Sequence, residues 1–555
     1  MPGQFMLLVE HDEPLPENLI AQIQQTAPIA SNWKRLEGAQ WNDARVLAFQ
    51  HLNVRGDLPP EEQTEQKRFI PSNAHRQAFD PALPVHRRAT RQAFALVFVD
   101  IPRYGRKRRH LLLKLLKEIN DQIAEMTRPD APTEAADITL RGASPNWLLH
   151  PSPDNAGTGG PGARPAPAMQ EGRDFTFAFP SNEDLEQRLQ AGAQGRGVEV
   201  AILDTVPAED ALREAHRRWV DEQDVPHPLL KQLLSPQGGF RLDVPDGLRV
   251  TYSADLGVVL PQPHELRVRD HDYPMNDHGL FAAGIVKTIA PQAELHLVQV
   301  LNEHGVGTLE SIGSGLLWLA QERARADVPK PLVINLSLTM TTPLEGHPRT
   351  GMSRWSLFRK KSNYLKQPWY EMMALSLEWI CAALRGPNVA LVAAAGNDND
   401  AEDRGRGQAW VQARYPAAFP TVLGIGALLE NSLEPAPYSN FSDQPGGAGI
   451  ATFGGQDQNK VAVERRGILG VYIGPYPTQK QDPATDPGQE YATSSNSSGW
   501  AWWAGTSFAT PIISGVLAAL ASAGQGLPEA EAVLDLDVSR TRTPMGGGLQ
   551  VQQGN

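Results

Sequence analysis

The sequence predicts an α/β protein with a mostly parallel sheet and helices on both faces, preceded by a smaller α+β unit, and three observations carry this. Apolar runs at 198–204 (VEVAILD), 294–301 (ELHLVQVL), 332–338 (LVINLSL), 388–397 (NVALVAAAGN) and 421–429 (TVLGIGALL) are separated by helical runs such as 309–326 and 368–386. Their hydrophobicity is continuous rather than alternating, as strands covered on both faces require. A stretch at 155–173 (NAGTGGPGARPAPAMQEGR) has no hydrophobic period and reads as a linker.

Before that linker the period and side-chain types predict a strand at 5–10, a helix at 16–27 and a strand at 43–52. A strand at 93–102, an amphipathic helix at 109–126 and a strand at 136–149 follow. The order β-α-β-β-α-β is that of a split βαβ, ferredoxin-like unit. The polar stretch from 53 to 91 is long for a connection inside it. The 555 residues therefore divide into a ferredoxin-like domain at 1–150, a linker at 151–176, a larger α/β domain at 177–535 and a polar tail at 536–555.

Composition excludes several classes. With 41% hydrophobic and 21% charged residues the chain can bury a core. A formal charge of -12 is the wrong sign for phosphate-backbone binding, and the basic run 103–109 (RYGRKRR) reads as a solvated segment, so no nucleic-acid partner is expected. The single Cys381 excludes an intrachain disulfide and, within LEWICAAL, reads as a buried thiol. The start MPGQFMLLVEHDEP lacks a basic n-region, and the apolar run at 511–524 is shorter than the ~20 residues a bilayer requires. No membrane partner and a cytoplasmic location are the expectations.

Acyl transfer needs a nucleophile, a base, a carboxylate to orient that base, and donors where the oxyanion forms. Ser507 lies in GTSFATP before a long apolar run, which sets it at a helix N-terminus where a developing negative charge is favoured. There Pro511 is expected within the first helical turn. The other reading of Ser507 is a helix cap. His278 in DHGLFAAGIV has a side chain suited to accept a proton near neutrality, and Gly279 is expected to let substrate or nucleophile approach the ring. Asp204 ends an apolar strand and needs a partner there, such as an imidazole N–H, though an Asx-turn is the alternative. Asn397 closes a strand with an amide that donates without ionising, and it also reads as a turn residue.

These four segments resemble those of the subtilisin-like serine proteases, the subtilases, in the chain order Asp, His, Asn, Ser. The resemblance covers about 195–524, with GTSFATP its most specific element. It implies a serine endopeptidase in which Asp204, His278 and Ser507 form a triad and Asn397 supports the oxyanion. Leu336, Ser337 and Leu338, with Ala395 and Gly396, would bind a polypeptide substrate as an added strand. Tyr415 to Ala418 match more loosely. The N-terminal unit is similar to the family's propeptide, implying a zymogen whose first domain is an intramolecular partner that assists folding and caps the site; an unrelated partner-binding domain is the alternative. The alternatives are a protease-like scaffold that binds a partner through its cleft and N-terminal domain without turnover, and a latent protease whose N-terminal domain stays attached and inhibitory until a signal arrives.

The chain departs from the family pattern at Val206, where a Gly is usual, at Phe281, where a second His is usual, and at Thr339, where a Gly is frequent. Long intervals between Asp204 and His278 and between Leu338 and Asn388 imply surface insertions, the latter including RWSLFRKKSNYLKQPWY. No cofactor is required by this chemistry. The run 398–403 (DNDAED) offers oxygen ligands for a structural calcium but lacks EF-hand spacing, and its place after Asn397 predicts some preference for basic substrate residues.

Overall fold

A computed structural model describes residues 3–50, 93–126, 137–151, 163–168, 176–234, 248–261, 273–340, 368–399, 411–442, 449–479 and 491–553, less isolated positions and short gaps within these spans. The polar stretch 53–91 and most of the insertion carrying RWSLFRKKSNYLKQPWY lie outside the described residues.

The N-terminal unit is an antiparallel sheet of Gln4–His11, Gln40–Gln50, Ala93–Asp100 and Ile138–Pro145, in the spatial order second, third, first, fourth. That is the split βαβ order expected from the element sequence. Period-two alternation sends its side chains into two different cores. Phe5, Leu7, Val9, Ala95, Val97 and Val99 pack under the unit's own helices Leu19–Gln25 and Arg109–Met126. Met6, Leu8, Phe49, Phe94, Leu96 and Phe98 join the core of the larger domain through its helices Leu309–Arg325 and Pro368–Leu384. Phe94 meets Trp379 edge-on at 5.4 Å. Because a buried side chain of this size contributes roughly 1.5–3 kcal/mol, this second face holds the sheet firmly on the larger domain.

The larger domain is built on a nine-stranded sheet. From one edge it runs Arg542–Thr543, Gly546–Leu549, Ile450–Phe453, Leu423–Leu428, Val389–Ala394, Leu332–Leu336, Glu199–Asp204, Glu294–Gln299 and Arg249–Thr251. All pairings are parallel except that of the terminal hairpin. The chain steps from Glu199–Asp204 to one side first and later to the other through Leu332–Leu336. This switch point opens a crevice beyond the strand carboxyl ends, where α/β sheets bind ligands.

Helices His278–Ile289 and Thr506–Ala521 lie against the sheet and each other. Every residue of Thr506–Ala521 is buried, so its all-round apolarity marks a central core helix. Among the described residues no helix is long and apolar enough to cross a membrane. Cys381 is buried, and burial pushes its thiol well up from its ordinary value.

Two boundaries differ from expectation. The tail at 536–555 is partly structural: Gly546–Leu549 joins the main sheet beside Ile450–Phe453, and Val551 is buried. Its GGGL composition carries no strand signal because the position needs glycine: a Cβ at Gly547 would lie 2.7 Å from a Val538 methyl. Within the linker, Ala166–Pro167 pairs with Ala501 and Trp502, and the Ala163 carbonyl accepts from Tyr273 Oη and Trp503 Nε1. Small residues there fit closely against aromatic ones, a role that composition alone presents as flexibility.

Candidate active site

Asp204 ends its strand with a carboxylate that takes the Thr205 N–H at 2.7 Å. His278, first residue of its helix, faces it with Nδ1 2.8 Å and 2.9 Å from the two carboxylate oxygens. Both are completely buried. A ring N–H shared by both oxygens fixes the tautomer and leaves Nε2 as the acceptor. That Nε2 is buried and has no partner among the described residues. Trp503 and Phe508 flank the ring at 5.6 Å and 5.1 Å. Gly279 allows a close approach, but to protein rather than to substrate: a Cβ there would lie 2.3 Å from the Thr205 carbonyl and 2.9 Å from Asp204 Cβ. Phe281 fills space above Gly470, and Val206 is core.

Ser507 sits in the first turn of its helix, after Gly505 as N-cap. Pro511 lies in the second turn, not the first, and so supplies no N–H for the carbonyl of Ser507 four residues earlier. Ser337 Oγ donates to that carbonyl instead, at 2.7 Å. The reverse contact is also made, with Ser507 Oγ 3.3 Å from the Ser337 carbonyl. Behind Ser337, Asn335 Nδ2 donates to its Oγ at 3.0 Å and Ser514 Oγ donates to Asn335 Oδ1 at 3.0 Å. A missing helix hydrogen bond is thus replaced by a buried polar chain that ties the Ser507 helix to the central strand.

Asn397 follows the strand Val389–Ala394, and its Oδ1 accepts from both Thr506 N and Thr506 Oγ1 at 2.9 Å. With the oxygen held on that side, the amide N–H₂ is turned the other way. Thr506 Oγ1 also accepts from Gly396 N at 3.2 Å. Gly396 needs its φ of +114° and has no room for a side chain, since a Cβ would lie 2.4 Å from Asn440 Nδ2. Thr506 and Asn335 were not singled out by sequence; the TS of GTSFATP and the N of LVINLSL were the available signals.

A strand of the N-terminal unit lies in the crevice. Leu148–Pro151 pairs antiparallel with Gly307–Thr308 on one side and Leu338–Met340 on the other, as the middle of three strands. Its register is Leu149 with Met340, His150 with Thr339 and Pro151 with Leu338. The next position on the lower strand is Ser337, where Ser507 is anchored. The unit is further fixed by Arg45, whose guanidinium forms two bonds of 2.6 Å with Glu310, and by Asn146 at 3.3 Å from the same carboxylate. Of the residues expected to bind substrate, Leu338 lies on the paired edge and Ser337 beside Ser507. Leu336 does not reach the crevice: its side chain is buried in the core beneath, because it belongs to the fully covered strand. The Ala395 and Gly396 N–H groups are engaged internally, by Ile425 O and Thr506 Oγ1, so these residues form wall rather than donors.

Asp398 is not a free acid beside the site. Arg414 holds both its oxygens at 2.5 Å and 2.6 Å, and Asn440 Nδ2 adds a bond of 2.6 Å. Asp398 itself is thus already engaged by a guanidinium, and the other acidic residues of the run on which a preference for basic substrate residues was expected, within 400–403, lie outside the described residues. Among the described residues no group of three or more His, Cys, Asp or Glu is arranged to hold a metal ion. Next to His278, Asp277 is buried and accepts from Ile473 N and Gly474 N; burial pushes its carboxyl up to about 6.

A parallel α/β sheet with a buried carboxylate–imidazole pair beyond its strand ends, and a serine at the start of the helix packed on that imidazole's own, has the layout of a serine-type peptidase. The model of the peptidase S8 or subtilase family matches residues 195–541, more than half of the chain, and the chain belongs to that family. Among solved structures, that of a lanthipeptide protease is 17% identical, covering 67% of this chain and 91% of its own, with a TM-score of 0.39. No curated protein matches.

Proposed function

We propose that the chain is a serine endopeptidase held latent by its own N-terminal domain. His278 Nε2 takes the Ser507 proton, Asp204 steadies the resulting imidazolium, and Oγ attacks the scissile carbonyl to form an acyl-enzyme that water then hydrolyses. The Asn397 amide and the Ser507 N–H stabilise the oxyanion. The observation that carries this reading is the bidentate approach of His278 Nδ1 to Asp204 with Nε2 left unpartnered in the core. A buried unpaired nitrogen costs about 1–3 kcal/mol, and turning the Ser507 hydroxyl from the Ser337 carbonyl toward Nε2 removes that cost while readying the nucleophile.

Latency is supported by the pairing of Leu148–Pro151 on two edges, as an extended substrate would pair, and by the complete burial of His278 and Ser507. Polypeptide specificity is supported by the same pairing, since a ladder on two edges recognises main chain. The test is fluorophosphonate labelling of the full chain and of Ser507→Ala. Label that is lost in Ser507→Ala, and so confined to Ser507, supports the peptidase; absence of label both in the wild type and in a chain whose N-terminal domain has been removed by limited proteolysis after folding would sink it.

A further inference from the structure

A guanidinium–carboxylate pair that is almost wholly buried adjoins the candidate reaction centre. Arg414 and Asp398 are 6% and 3% exposed, and Asp398 adjoins Asn397. Arg414 spans two segments that flank the crevice. Its N–H donates to Ala395 O at 2.9 Å, and its Nη1 lies 3.4 Å from Met340 O. Tyr415 O accepts from Met340 N at 2.8 Å, which draws the segments together. On the far side, Asn440 ties Asp398 to Ala395 O and Gly396 O. The space between Ser337–Met340 and Ala395–Asn397 is therefore floored by a bidentate guanidinium–carboxylate pair.

A substrate strand in the register of Leu148–Pro151 brings the residue opposite Ser337 to Ser507. With its carbonyl carbon at Oγ and its carbonyl oxygen toward the Asn397 amide, that residue's side chain is directed between the two flanking segments. We infer that Arg414 and Asp398 close this space, so the enzyme prefers a small uncharged residue, Gly, Ala or Ser, immediately before the scissile bond. A large side chain would have to displace a paired buried ion, which leaves its partner uncompensated; a charged one would in addition carry its own charge out of water. This inference rests on the serine-peptidase reading and adds its substrate class.

The test is cleavage of a fluorogenic peptide series differing only at the residue before the scissile bond, using the full chain carrying Arg45→Ala to loosen the N-terminal domain. Fluorophosphonate labelling at Ser507 is measured alongside, so that absence of label counts against the peptidase reading and not against this one. In labelled enzyme, kcat/KM for Ala, Ser and Gly is expected to exceed that for Leu, Phe, Lys and Glu at least tenfold. The double variant Asp398→Ser/Arg414→Gly removes both charges together and is expected to raise the Leu-to-Ala and Phe-to-Ala ratios of kcat/KM at least tenfold. Equal cleavage of Ala and Phe peptides by the parent overturns the inference without any variant at the pair. An unchanged Ala-to-Phe ratio in a double variant that melts within a few degrees of the parent overturns it independently.

Discussion

Ser337 and Ser507 are bonded to one another in both directions: Ser337 Oγ donates to the Ser507 carbonyl at 2.7 Å, and Ser507 Oγ to the Ser337 carbonyl at 3.3 Å. The first bond replaces the one that Pro511 cannot make and fixes the backbone of Ser507. The second holds its hydroxyl against the residue that adjoins the edge Leu338–Met340, so that, on the function proposed above, substrate pairing and release of the hydroxyl would share one residue.

Ser337→Ala removes the first bond and leaves a buried carbonyl short of a donor. Stability is expected to fall by about 1–3 kcal/mol, read by thermal unfolding. A neighbouring Ser337→Thr keeps the hydroxyl and should recover most of the loss; equal losses in both variants would show packing rather than the hydrogen bond at work.

Asp204→Asn replaces the carboxylate that sets the imidazole tautomer. The expected drop in kcat is on the order of 10⁴-fold, measured on a peptide substrate, with unfolding temperature little changed. A drop below tenfold would remove Asp204 from the proton path.

Thr506→Val deletes one of two bonds holding Asn397 Oδ1 and keeps the other, the Thr506 N–H. Removing an oxyanion donor outright costs roughly 10²–10³ in kcat, and that is the expectation for Asn397→Leu. For Thr506→Val the loss should be smaller and fall on kcat rather than KM. A pure KM effect would assign Thr506 to substrate binding.

Arg45→Ala breaks the bidentate bond to Glu310 that helps to seat the N-terminal unit. Fluorophosphonate labelling of Ser507 is expected to accelerate severalfold, while Lys117→Ala, which removes an exposed pair with Asp121 on the unit's own helix, should leave it unchanged.

Stability should respond to pH in two opposed ways. His227 and His296 are pushed down to about 3 by burial, so the stability they contribute is present above about 6.5 and is lost as pH falls toward 3. Asp277 is pushed up to about 6 by burial against an ordinary 3.8. Its contribution is full below 3.8 and is lost as pH rises through 6. Asp277→Asn keeps an acceptor for Ile473 N and Gly474 N and escapes ionisation. At pH 8 it is expected to exceed the wild type by up to about 3 kcal/mol, and at pH 3.5 to match it. A constant difference across that range in thermal unfolding would refute the assignment.

The strands 199–204, 332–336 and 389–394 were legible in the sequence because strands covered on both faces must be apolar throughout, a local signal. The split βαβ order followed from period and element length in the same way. Asp204, His278, Asn397 and Ser507 stood out through short patterns, each at the end of an apolar strand or the start of an apolar helix. Other features carried no local signal. Gly546–Leu549 looks like a tail because its glycines answer to Val538 and Thr543, which touch it only in the folded chain. Ala163–Ala168 looks like a linker because its partners, Tyr273, Trp502 and Trp503, are remote in sequence.

By itself the sequence determined which residues are chemically able to act and which segments are apolar enough to be buried, since both are properties of individual side chains and their spacing. Only the tertiary structure decided that Ser337 answers Pro511, that Thr506 turns Asn397, that Arg414 neutralises Asp398, and that Leu148–Pro151 lies between Gly307–Thr308 and Leu338–Met340. Each of those is a pairing of polar groups far apart along the chain. A buried donor or acceptor must be satisfied, but which distant group satisfies it is settled by packing alone.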